Sequence, residues 1–170
     1  MKVLGIDPST KTGWALITIT DARWSHMSGV QILRGTGFQR VVYAKKWLEE
    51  FVHSHTPNLI VIEGYAYANP HTLGTLVEVG TAFRLGMSEE GFGWIDCPPT
   101  TLKKFVCGKG TAKKEHILLD VYKHWKVSFD SSDEADAFGL AMLGVAFAKS
   151  PGIPFLADQQ RVADALVSRQ

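Results

Sequence analysis

Residues 58–63, NLIVIE, restrict the fold more than any other stretch of the chain. Leu59, Ile60, Val61 and Ile62 form an unbroken aliphatic run after Pro57 and end on Glu63. With no polar alternation, both faces of the segment are apolar. That suits a strand buried on both sides, which requires helices above and below its sheet. A carboxylate closing such a strand is costly in a core unless it meets a cleft, a cation or a hydrogen-bond donor.

Around this segment the chain divides by periodicity. KVLGID (2–7) reads as a strand stopped by Pro8, and WALITIT (14–20) as a strand paired back on it after the turn PSTKTG. WSHMSGVQIL (24–33) supplies a third strand and FGWIDC (92–97) a fifth, closed by Pro98 and Pro99. Val41, Ala44, Trp47, Leu48, Phe51 and Val52 recur at three-to-four spacing and predict an amphipathic helix over 37–55. Helical patterns follow at 71–87, 100–106, 111–125 and 133–148, with Gly74, Gly80 and Gly86 in the first of these suiting close packing. The order is β-β-β-α-β-α-β-α, an α/β fold with a mixed five-stranded sheet covered on both faces. Residues 1–150 are expected to form one domain. The tail at 151–170 carries a short amphipathic helix at 157–169.

Hydrophobic residues make up 45% of the chain, enough for a core at this length. No apolar run reaches the roughly 18 to 20 residues of a membrane span, and the N-terminal MKVLGID lacks the apolar stretch and cleavage site of a secretion signal. A cytoplasmic location is the expectation. Cys97 and Cys107 fit no zinc or disulfide spacing and read as buried thiols.

Two acids end strands, Asp7 and Glu63, and clefts in open α/β sheets lie at such carboxyl ends. Asp7 before Pro8-Ser9-Thr10 suits an Asx turn equally well; Glu63, a poor turn former before Gly64, does not. Late in the chain, DSSDEADAFGLAMLG (130–144) opens a nearly all-apolar helix with Asp133, Glu134 and Asp136. Ser131 and Glu134 have the spacing of a capping box, and dipole compensation accounts for acids in a first turn. Neither accounts for Asp136. If this helix crosses the strand ends, Asp7, Glu63, Asp133 and Asp136 converge and repel unless cations hold them. All-oxygen donors suit Mg²⁺ or Mn²⁺, and two such ions about 3.5 to 4 Å apart serve phosphodiester hydrolysis.

GIDPSTKTGWAL, VIEGYAYA and SSDEADAFGLA together resemble the RuvC Holliday-junction resolvases, endonucleases of the ribonuclease H-like superfamily, over roughly residues 1–148. The resemblance implies a ribonuclease H-like fold with Asp7, Glu63, Asp133 and Asp136 as catalytic metal ligands. It further implies a homodimer that binds four-way junctions and, with two Mg²⁺ (Mn²⁺ substituting), makes paired symmetric nicks with ligatable ends. The segment TLKKFVCGKGTAKKEHI resembles the family's basic stretch, with Lys103 and Lys114 at positions of lysines near the scissile phosphate. Residues 101–126 hold seven lysines against Glu115 and Asp120, an electrostatic footprint hidden by a net charge of +1. Lys103, Lys104, Lys109, Lys113 and Lys114 are read as phosphate contacts, Lys123 and Lys126 as solvated surface.

The family often places an aromatic three residues after the second acid; Ala66 stands there, between Tyr65 and Tyr67. Either tyrosine could stack on an unpaired base or pack in the core. This variation fits a bacterial, phage- or plasmid-type member with broader taste for branched DNA. Three other readings stay open: a nuclease acting on other branched DNA, RNA or RNA–DNA hybrids; a junction-binding module without activity; and an actin-like ATPase, which would need a second such domain.

Overall fold

The apolar segment lies at the centre of the sheet, as its composition requires. The computed structural model describes residues 1–21, 23–65, 70–166 and 168–169, with the backbone alone for 70–72 and 168–169. The strands are β1 (Lys2–Asp7), β2 (Lys11–Thr20), β3 (Arg23–Ile32), β4 (Leu59–Glu63), β5 (Trp94–Cys97) and β6 (Ser168–Arg169). The helices are α1 (Phe38–His55), α2 (Pro70–Glu89), α3 (Pro99–Cys107), α4 (Lys114–Trp125), α5 (Ser132–Phe147) and α6 (Ala157–Asp164). The spatial order is β3-β2-β1-β4-β5-β6. β1 pairs antiparallel with β2 and parallel with β4. The five expected strands form the mixed sheet, and two-residue β6 adds antiparallel to the outer edge of β5.

Alternation along the strands sends side chains into two cores. Leu4, Ile6, Leu16, Ile60 and Ile62 meet Leu48, Val52 and Phe83 of α1 and α2 on one face. Val3, Ala15, Ile17 and Val61 meet α3, α4, α5 and α6 on the other. α5 is apolar all round because it is enclosed all round, with every residue from Ala135 to Ala146 buried. Val162 and Ala163 of α6 belong to that same core.

Three boundaries differ from the sequence reading by three residues or more. β2 starts at Lys11, three residues early, because Lys11 pairs with Ile32 and Gly13 with Asp7. α4 starts at Lys114 rather than 111, since Lys113 is extended (φ −78°, ψ 159°). α6 ends at Asp164, after which the chain returns to the sheet edge as β6. In α2 the need for small residues is confined to part of the helix. A Cβ on Gly80 would lie 2.8 Å from the Tyr65 ring, whereas Gly74 has nothing within 4 Å.

Candidate active site

Strand pairing brings the first two acids together. β1 and β4 run parallel with Ile6 opposite Ile62, so Asp7 and Glu63, the next residues, end side by side. Asp7 is only 7% exposed. The other two acids arrive on α5, which lies on the sheet backbone to backbone. A Cβ on Gly13 would sit 2.0 Å from the Asp133 carbonyl oxygen, and one on Gly5 2.0 Å from that of Ala137. Two missing side chains in β1 and β2 therefore let the first turns of α5 settle over the strand ends. Ser131 caps the helix by accepting from the Asp133 N–H at 3.2 Å. Glu134 does not complete the expected capping box; it accepts from the Ser28 hydroxyl of β3 at 3.1 Å, tying the helix start to the sheet instead.

The carboxylates carry the electrostatic marks of a crowded, dry site. Burial, reinforced by the Asp136 charge, pushes Asp7 up to about 7. Burial and the Asp7 charge push Glu63 up to about 9, with side-chain contact to Asp7 acting in the same direction. Burial pushes Asp136 up to about 6 against the pull of Lys114. The Asp136 Oδ1 atom is buried with no hydrogen-bond partner. Lys114, the first residue of α4, places its Nζ 3.6 Å from both Asp133 Oδ1 and Asp136 Oδ2. Burial alone would lower its pKa, but attraction to Asp7, Asp136, Asp133 and Glu63 outweighs that and raises it. Asp7, Glu63, Asp133 and Lys114 line one cleft of about 240 Å³ with Ser9, Tyr65 and Leu76.

Among the described residues, no group of three or more His, Cys, Asp or Glu side chains stands in an arrangement that could hold a metal ion. The donor set nevertheless fits a hard divalent cation: four carboxylates with an orphaned oxygen on Asp136, and one ammonium group offsetting them.

The remaining expected contacts are distributed unevenly. Lys103 on α3 is half-buried and near enough for its charge to act on Asp136. Lys104 is in the last turn of α3, while Lys109 and Lys113 lie between α3 and α4; all three are exposed and outside the cleft wall. Lys123 pairs with Asp120 at 2.9 Å. Tyr65 is no free stacking platform: its hydroxyl shares a hydrogen bond with Thr81 at 3.0 Å and its ring lies under Arg84, 4.7 Å away. Tyr67 and Ala66 lie outside the described residues. Cys97 is buried and Cys107 half-buried.

Arg84, absent from the sequence reading, is the cross-tie behind the site. It donates to Asp96 Oδ1 at 2.9 and 2.5 Å, to the Gly80 carbonyl at 2.9 Å and to the Glu63 carbonyl at 3.3 Å. No local pattern marks it, since its partners come from α2, β4 and β5.

Residues 3–143 match the family described as crossover junction endodeoxyribonuclease RuvC. The crossover junction endodeoxyribonuclease RuvC of Rickettsia typhi is 33% identical over 151 residues, covering 83% of this chain and 94% of that protein. The Thermus thermophilus RuvC structure shares the fold at 22% identity, with a TM-score of 0.72 over 88% of this chain and 96% of that one. T. thermophilus RuvC in complex with Holliday junction substrate aligns at a TM-score of 0.69 and 22% identity, over 84% and 91%.

Proposed function

The chain belongs to the RuvC family of crossover junction endodeoxyribonucleases, and from that premise we propose that it resolves four-way DNA junctions by metal-dependent phosphodiester hydrolysis. The observation that carries the reading is the meeting of Asp7, Glu63, Asp133 and Asp136 around Lys114 where β1 and β4 end. A binding module would gain nothing from four acids facing a polyanion.

The four carboxylates would hold Mg²⁺, with Mn²⁺ as a substitute and two ions per site. When bound, such ions activate water and stabilise the departing oxygen. Metal ligands must be deprotonated, so with Glu63 and Asp7 both held high by burial, ion binding would be coupled to proton release. Asp136, a buried residue of α5, would supply its unpartnered Oδ1. Lys114 balances the acids without substrate and would meet the scissile phosphate with it. Lys103, Lys104, Lys109 and Lys113 hold the backbone of the same DNA on the α3–α4 side.

The test is a panel of a synthetic four-way junction, a flap and an RNA–DNA hybrid, each with Mg²⁺ and with EDTA. Paired nicks in the junction, dependent on Mg²⁺ and faster than cleavage of the other two, are expected. Preference for the hybrid would overturn the substrate assignment.

A further inference from the structure

From Pro8 to Leu48 the chain has six basic side chains and one acid, Asp21. Lys45 is taken up by Glu49 and Glu89, and Lys46 by Glu50. Arg23 sits at the far end of the sheet, opposite Thr20. That leaves Lys11, Arg34 and Arg40 with no ion pair among the described residues, and all three lie at the sheet end that carries Asp7. Lys11 and Arg34 are exposed.

Their position relative to the acids is fixed by backbone contacts. The Lys11 N–H donates to Ser9 Oγ at 3.1 Å, and Ser9 lines the cleft. Lys11 shares a sheet face with Gly13, two residues on, whose backbone touches Asp133. The Leu33 N–H donates to the Thr10 carbonyl at 2.9 Å, which holds Arg34 against the same turn. Arg40 donates to the Gly35 carbonyl at 3.2 Å and secures the strap between β3 and α1. The lysines of α3 and α4 approach the cleft from the α4 side; Lys11 and Arg34 flank it from the β2–β3 side.

We infer that Lys11 and Arg34 form a second phosphate-binding surface, which grips one duplex arm of the branched DNA on the side of the cleft opposite α4. This extends the proposed junction cleavage and rests on it. A junction cut at its centre must leave the cleft as diverging arms, and cations on one side alone would leave an arm unsupported. Ile32 and Phe38, 62% and 81% exposed, lie on the same rim and suggest a rival occupant, a second copy of the chain. Charge opposes that rival. In a two-fold contact a patch meets itself, and Lys11, Arg34 and Arg40, none of them in an ion pair among the described residues, would face their own copies.

The test uses a labelled synthetic four-way junction in EDTA, with binding followed by anisotropy across a salt series. The Lys11→Ala/Arg34→Ala double variant is compared with wild type and with Arg23→Ala as a control. Loss of two phosphate contacts predicts a Kd raised about tenfold near 0.1 M salt and a log–log salt slope shallower by about 2. Arg23→Ala should match wild type. An unchanged Kd and slope in the double variant would overturn the inference, as would a fall in sedimenting mass with the slope unchanged, which would assign the rim to a second copy. Failure of wild type itself to bind or cut the junction would instead refute the underlying reading of the site.

Discussion

Asp7 shows what a single residue could and could not disclose. Its sequence context suits a turn as well as a ligand, and what favours the ligand is the approach of Asp136 on α5 and Lys114 on α4. An acid held that way costs stability without a cation. Asp7, Glu63 and Asp136 have folded-state values of about 7, 9 and 6, above the roughly 4 of an unfolded chain. The folded state therefore binds more protons than the unfolded one between those limits, and stability falls as pH rises through that window. In EDTA, Tm should drop between pH 5.5 and 8.5, and added Mg²⁺ should restore more at the higher pH; a flat or rising metal-free profile would refute the assignment. Asp7→Asn should remove cleavage, leave junction binding intact and raise the metal-free Tm at pH 8 by several degrees, equivalent to about 1–3 kcal/mol. Glu134 is the opposite lesson. Its spacing pointed to a cap, but Ser28, 106 residues away, holds it, and no local pattern encodes that. Arg84 was equally invisible. Arg84→Met should lower Tm by several degrees, for about 1–3 kcal/mol of lost buried hydrogen bonds, and raise the Mg²⁺ needed for half-maximal cleavage. Unchanged Mg²⁺ dependence would reduce it to a structural tie.

Among the elements, α5 does most to build the site. Its unbroken apolar character disclosed that it would be enclosed, and the run at 59–63 disclosed a central strand; both periodicities depend on burial alone and survive in one dimension. The glycines that let α5 reach the sheet were not legible as such, because Gly5 and Gly13 sit in ordinary strand positions and matter only once a helix backbone lies on them. Gly13→Val should force the start of α5 off the strand ends. We expect a loss of 3 kcal/mol or more by thermal unfolding, about the upper range for overpacking, with cleavage lost more completely than the fold. A variant with wild-type stability and activity would show that this contact does not set the site. Ends of elements were read less well than their existence. α4 begins where Lys113 turns extended and α6 gives way to β6, and both depend on tertiary contacts that periodicity does not carry.

For the whole molecule the near-neutral net charge of +1 conceals a local excess of lysine, seven in residues 101–126 against Glu115 and Asp120, while Asp7, Glu63 and Asp133 line one cleft with Lys114. Among the described residues no helix is long and apolar enough to cross a membrane. Paired symmetric nicks need two sites, so we expect sedimentation of the 18.7 kDa chain with junction DNA to show two copies per junction; a single copy making paired cuts would contradict that arrangement. The claim on which everything else depends is that these four acids, two ending β1 and β4 and two carried there by α5, cut the junction. Its most direct test is cleavage of a bound four-way junction by Asp136→Asn in Mg²⁺, scored beside wild type at saturating protein. Wild type should make paired nicks, none of them in EDTA, and the variant should bind the junction and cut it at a rate reduced at least about a thousandfold. Cleavage by the variant at the wild-type rate would contradict it.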